Sequence, residues 1–250
     1  MTDSIPKQIP ASALERIAVI PAHPDDLVSC IGLCLRARGR FEVHVIDFTH
    51  GERGCGPAGF ADGSTKATRT AEEESVCEAV GATLHWLDEI DGEAYACRET
   101  CGRLAAILVK LKPRAVFAHW PVDIHGDHAM AGVAALKAVF LAGLSPEMYF
   151  FAEAYQSKRF TPDVFLDISD IADRKREIIR LYKCQYKDGG LERDELSANR
   201  TWAMQSMLFH GEAEGFLSFV QPMQGARRTV FQELAPPEAD AHIRFQGARP

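Results

Sequence analysis

At 250 residues, with 46% hydrophobic and 25% charged side chains, the chain carries enough apolar surface for a full core and reads as one globular domain. Its net charge of −7, with no Lys or Arg block, argues against nucleic acid or an anionic membrane as partner. No leader follows Met1 and no apolar run approaches bilayer-spanning length, so the expected location is cytoplasmic; seven irregularly spaced cysteines read as free thiols of a reducing compartment.

Four strand-then-helix units are predicted between Arg16 and Ala142, the order of a mainly parallel sheet with helices on both faces. The first is a strand from Arg16 to Pro21 and a helix from Leu27 to Arg38, stopped by Gly39. The second is Phe41 to Phe48, a Gly-rich segment from Gly51 to Gly63, and a helix from Thr65 to Val80 closed by Gly81; so long a loop is usually functional. A strand at Thr83–Leu87, a turn through Asp88–Glu93 and a helix at Arg98–Leu111 form the third. The fourth is Arg114–His119, a histidine-rich loop and a helix of small residues from Asp127 to Leu141. Strands at Met148–Ala152 and Val164–Ile168, with Tyr149–Phe151 as core, and helices at Ile171–Tyr186 and Glu192–Met207 complete the pattern. The tail, 221–250, is expected on the surface. With no repeat or linker, 1–250 reads as one domain with its core over about 16–220.

Two acidic-histidine signatures follow predicted strands: His-Pro-Asp-Asp at His23–Asp26 and Asp-Ile-His-Gly-Asp-His at Asp123–His128. In an open α/β sheet ligands bind beyond the carboxyl ends of the strands, where both signatures lie. A hydrolytic zinc needs three protein ligands and an open position. His23, Asp26 and His128 meet that count, with Pro24 fixing the turn so that His23 and the carboxylates converge. Asp25 is then free beside the attacking water as general base. A protonated His125, held by Asp127, would face the developing oxyanion, and Asp123 would support a ligating histidine.

These signatures, with Thr49-His-Gly-Glu52 after the second strand, resemble those of the PIG-L/LmbE family of zinc-dependent N-acetylglucosaminyl deacetylases. The resemblance runs from about Arg16 to Met130, with an echo in Glu212-Ala-Glu-Gly-Phe216. It implies a Rossmann-like three-layer α/β fold, removal of an acetyl group from a small-molecule N-acetyl amino-sugar conjugate, His23, Asp26 and His128 as zinc ligands, Asp25 as base, and His125 with Asp127 at the oxyanion. It also places Arg69 near the substrate. Leu27 and His50 depart from the family pattern, where many members have glutamate and aspartate; neither is a ligand, so metal binding is expected to survive.

Plainer readings stand beside these. Asp25, Asp26 and Asp127 suit helix caps; Arg69 suits an exposed helix position paired with Glu72 or Glu73. Glu52 reads either as a partner for a sugar hydroxyl or as a solvated loop carboxylate, and His119 as pocket lining or a satisfied core histidine. His44, His85 and His210 read as surface residues and Cys55 as exposed. Two histidines and one carboxylate also suit Fe²⁺ or another divalent metal. A different metallohydrolase, a non-catalytic binding module and a homo-oligomeric state all remain open.

Overall fold

The computed structural model describes residues 14–55, 61–207, 210–220, 227–234 and 243–245. Its strands are β1 (Glu15–Ile20), β2 (Phe41–Thr49), β3 (Ala82–Glu89), β4 (Ala115–His119), β5 (Glu147–Phe151), β6 (Val164–Asp167), β7 (Ala213–Val220) and β8 (Ile243–Phe245), in the spatial order β3-β2-β1-β4-β5-β7-β6-β8. The first five run parallel, and the β5–β7, β7–β6 and β6–β8 pairings are antiparallel.

Alternation along the central strands divides the core into two layers, as a sheet buried on both faces requires. Ile17, Val19, Val43, Val45, Phe117 and Tyr149 point to one face, against α1 (Ile31–Ala37), α2 (Ser64–Val80) and α5 (Ala172–Ile179). Ala18, Ile20, Ile46, Phe48, Val116 and Phe150 point to the other, against α3 (Arg98–Leu111) and α4 (Gly126–Leu141). This is the expected three-layer α/β arrangement. The small residues of α4, Ala131, Ala134, Ala135 and Ala138, are fully buried, and a Cβ on Gly132 would sit 2.3 Å from the His119 carbonyl oxygen. The helix therefore lies unusually close to the end of β4.

Several boundaries differ from the sequence expectation. The first helix opens as a 3-10 turn, Asp26–Cys30, before α1. The helix expected over Ile171–Tyr186 ends at Ile179, where tight turns (Leu181 N to Ile178 O 2.9 Å, Tyr182 N to Ile179 O 3.1 Å) bury Tyr182 so that its hydroxyl donates to Glu73; a short α6 (Lys183–Tyr186) follows. α7 is Gly190–Ser206. No strand was expected at β7, where the sequence offered only the family echo at Glu212–Phe216, because Glu214 and Gly215 break its apolar alternation. Glu214 accepts from buried Lys175 and from the backbone of Gly32 and Leu33, while Gly215 packs on Trp202. Part of the expected surface tail is structural: α8 (Val230–Leu234) buries Val230, Phe231 and Leu234 in the first core layer, and β8 pairs with β6. The rest of that tail, and part of the Gly51–Gly63 loop, lie outside the described residues. Among the described residues no helix is long and apolar enough to cross a membrane.

Candidate metal centre

β1 and β4 are neighbours at the point where the chain, having wound outward through β2 and β3, returns to extend the sheet on the other side. Loops leaving such a pair diverge and open a crevice at their carboxyl ends. The first loop holds His23 to Asp26; the second runs from Trp120 into α4, with His125 at its N-cap.

The two signatures meet at the Asp26 carboxylate. Its Oδ2 accepts from the backbone N–H groups of His23 (2.8 Å) and Ala22 (3.2 Å), and lies 3.3 Å from His23 Nδ1 and 3.1 Å from His119 Nε2. Its Oδ1 is 3.4 Å from His128 Nε2. Burial alone would push the Asp26 pKa up, but the imidazoles of His128 and His119 outweigh it and hold the group well below the usual carboxylate range.

His23 Nε2 lies 3.1 Å from Asp127 Oδ2 and 3.3 Å from Asp91 Oδ1. Burial works against its protonation, yet Asp127, Asp26 and Asp91 together raise its pKa well above normal. His128, also opposed by burial, is raised to about 10 by Asp26 and by Asp123, whose Oδ1 is 3.4 Å from His128 Nδ1. His119, fully buried, is lowered to about 4, first by burial and then by His128, on which it stacks at 4.3 Å. His125 is lowered too, by burial and by His23 and His128. Its ring Nδ1 accepts from Asp127 N at 3.3 Å, and the Asp127 carboxylate accepts from Gly92 N while facing His23. The Asp127 carboxylate is thus directed at His23 rather than at the ring of His125, and the protonated His125 expected from sequence has burial against it.

Asp25 sits in the left-handed region (φ 96°), a conformation that residues with a Cβ rarely adopt. Its pKa is raised to about 6 by burial, partly opposed by the charge of Arg69. Arg69, from α2, is 5% exposed; its guanidinium donates to the Asp25 carboxylate, to Pro24 O and to Gly51 O. It is not the exposed helix arginine that Glu72 or Glu73 would pair with. Glu72 instead accepts from Cys184 N.

A cavity of about 490 Å³ opens above this cluster, lined by His23, Asp25, Asp26, His125, His128 and Arg69, with Asp91, Gln156 and Gln185 among the other walls. Asp127 and Glu52 do not line it. Glu52 Oε1 accepts from Asp91 N, so it steadies the Asp91 loop. Sequence reading missed Asp91, although it follows β3 at the same sheet edge. Gln156 and Gln185 carried no pattern to mark them. His119 resolves to a buried partner of Asp26. His44 is buried, its Nδ1 3.0 Å from His85 Nε2, not on the surface, and Cys55 is exposed as expected.

The donor set suits a divalent cation. Ligand atoms of His23, His125 and His128, of Asp26, His119 and His128, and of His23, Asp91 and Asp127 each fall within 4.8 Å of one another. Imidazole nitrogens with one or two carboxylate oxygens are what zinc or iron(II) takes. The surrounding carboxylates raise the pKa of His23 and His128 above the usual imidazole range, so the cluster favours positive charge, which a bound cation would supply.

The model of the family described as "GlcNAc-PI de-N-acetylase" (PIG-L) matches residues 18–139. The chain is 28% identical over 183 residues to the 4-oxalmesaconate hydratase of Pseudomonas putida, covering 65% of this chain and 70% of that protein. It is 25% identical over 197 residues to the diacetylchitobiose deacetylase of Thermococcus kodakarensis, covering 72% and 73%. In fold it is similar to the N,N'-diacetylchitobiose deacetylase of Pyrococcus horikoshii, at 24% identity and a TM-score of 0.71 over 90% of this chain and 91% of that one.

Proposed function

Residues 18–139 place the chain in the PIG-L family, and from that premise we propose that it is a metal-dependent amidase that removes an N-acyl group, in the first place acetyl, from a small amino-sugar conjugate in the cytoplasm. The observation that carries the reading is the meeting of both signatures at one carboxylate, with a second carboxylate, Asp25, turned into the adjoining cavity.

In this reading His23, Asp26 and His128 hold the metal, zinc or alternatively iron(II). A divalent metal there supplies a lowered water pKa and polarisation of the amide carbonyl. Asp25 takes the proton of the attacking water and delivers it to the leaving nitrogen, so that amide and water become carboxylic acid and amine. A pKa of about 6 leaves it mostly ionised at neutral pH yet able to carry a proton. His125 lies at the cavity wall, where its ring can face the amide oxygen, and Asp127 orients the adjoining His23 and the first turn of α4. Arg69 aims Asp25 and keeps it charged; Glu52 acts on the pocket through the Asp91 loop.

A second reading is hydration of a carbon–carbon double bond, favoured by the resemblance to the Pseudomonas hydratase. It uses the same activated water and the same base.

One experiment tests both. Metal-loaded protein is assayed with N-acetylglucosaminides and with unsaturated dicarboxylic acids, alongside Asp25→Ala and His128→Ala variants. The expected result is amide hydrolysis, lowered about 10²–10⁴-fold in Asp25→Ala with metal retained, and lost together with the metal in His128→Ala. Turnover of the unsaturated acids alone selects the second reading. Hydrolysis that persists in metal-free protein refutes the mechanism, and equal metal loss in the two variants means that base and ligand are exchanged.

A further inference from the structure

The segment from Ala152 to Phe160 forms a wall with a cavity on each side. Gln156 lines the cavity above the metal cluster, whereas its neighbours Tyr155 and Ser157 line a second one, about 230 Å³, between this segment and α7. Tyr155, Phe160 and Trp202 supply three aromatic faces there, and Ala152, Ala154 and Ala198 leave space between them. Phe160 and Trp202 meet edge to face at 5.9 Å.

Most of the polar groups in this second cavity are already engaged. Ser157 Oγ donates to Asp123 at 2.6 Å, Glu153 accepts from Ser29 at 2.8 Å, and Thr201 Oγ1 donates to Ser197 O at 2.8 Å. Arg159, Ser197 and Thr201, all exposed, line the cavity beside its aromatic and methyl surface. The wall is also firmly held: Lys158 N donates to Val122 O at 2.8 Å, and Trp120 Nε1 to Lys158 O at 2.9 Å. Yet it keeps Tyr155 at φ 67°, a region that residues with a Cβ rarely adopt, and leaves that residue 66% exposed. Such an outlier on a rigid segment beside a candidate active site points to function.

We propose that this second cavity is a subsite for an aryl group on the non-reacting half of the substrate. The inference rests on the reading above, in that it assigns the aglycone of the amino-sugar conjugate. The ring packs among Tyr155, Phe160 and Trp202, while the amide reaches Asp25 across the wall at Gln156. Aromatic rings prefer such edge-to-face surroundings, and burial of the aryl group supplies binding that a methyl aglycone lacks.

The test compares the methyl, benzyl and 4-phenylbutyl β-glycosides of N-acetylglucosamine on wild type and on Ala198→Phe, which fills the cavity without touching the metal cluster. An arylalkyl glycoside is expected to have a kcat/KM at least about tenfold above the methyl glycoside, carried mainly by KM. Ala198→Phe should erase that preference and leave the methyl glycoside unchanged. Equal kcat/KM across the series, or a preference that survives in Ala198→Phe, overturns the subsite. If no glycoside is hydrolysed, the deacetylase reading fails by itself. Saturation-transfer NMR with 4-phenylbutyl β-glucosaminide then decides the subsite. Saturation of the phenyl protons by wild type, abolished in Ala198→Phe, supports it; phenyl protons that wild type leaves unsaturated, or that Ala198→Phe saturates equally, overturn it.

Discussion

Replacing Arg69 with Met isolates the electrostatic part of the proposed mechanism. The Arg69 guanidinium is buried against the Asp25 carboxyl, whose pKa of about 6 is the balance of a burial penalty and the attraction of that cation. An adjacent arginine typically lowers an aspartate by about 1–3 units, so its removal should raise Asp25 to roughly 7–9. At pH 7 the ionised fraction then falls from about nine-tenths to between one-half and one-hundredth. Because the base acts only when deprotonated, the sign is fixed: the acidic limb of the kcat/KM profile moves to higher pH by the same 1–3 units. Activity at pH 7 drops by up to about 100-fold, and much of it returns by pH 9. Arg69→Lys, which keeps the charge but not the fork onto Pro24 O and Gly51 O, should shift the limb less. The assay is the pH dependence of kcat/KM on metal-loaded protein between pH 5 and 10. A Met variant with an unmoved acidic limb, whatever its overall rate, refutes the coupling between Arg69 and Asp25.

Chelation should lower the thermal midpoint as well as activity, since a ligand at 100 times its Kd contributes about 2.7 kcal/mol; zinc should restore the midpoint in wild type but not in His128→Ala, by scanning calorimetry. Lys175→Met should cost about 3–5 kcal/mol in denaturant unfolding, because the ammonium is fully buried with Glu195 and Glu214 each at 2.7 Å. Burial already raises the folded-state pKa of Glu214, and losing the lysine raises it further. That deficit should be full at pH 8 and shrink as the pH falls toward the unfolded carboxylate value near about 4.3; a pH-independent deficit contradicts it. Gly132→Ala should cost about 1–3 kcal/mol and weaken metal retention, since its Cβ meets the His119 carbonyl and α4 must shift while carrying His128; unfolding melts and metal titration check both effects.

The parallel half of the fold was legible because its signals are local. Buried strands such as Arg16–Pro21 and Arg114–His119 are short apolar runs with turn residues at their ends, and the loops bearing chemistry follow them directly. The antiparallel half was not. β7 carries Glu214, whose place in a strand makes sense only once Lys175 and the start of α1 are known to lie across from it. The metal cluster was legible as residue types but not as a network. No spacing reveals that Asp127 faces His23, that His119 reaches Asp26, or that Asp91 arrives from the end of β3. Arg69 shows the same limit: its helix position allowed solvent, and the turn from Gly51, φ 60° with no room for a Cβ, to Gly54 encloses it together with Pro24 and Asp25.

The left-handed backbone of Asp25 also marks where selection for function and selection for robustness part company. Glycine would adopt that conformation without the steric cost an aspartate bears, but would leave the buried Arg69 guanidinium without its carboxylate partner. A library of this chain sorted only for heat resistance should therefore reach glycine at position 25 only in clones that also replace Arg69, and a lineage that keeps the pair is being held by its chemistry.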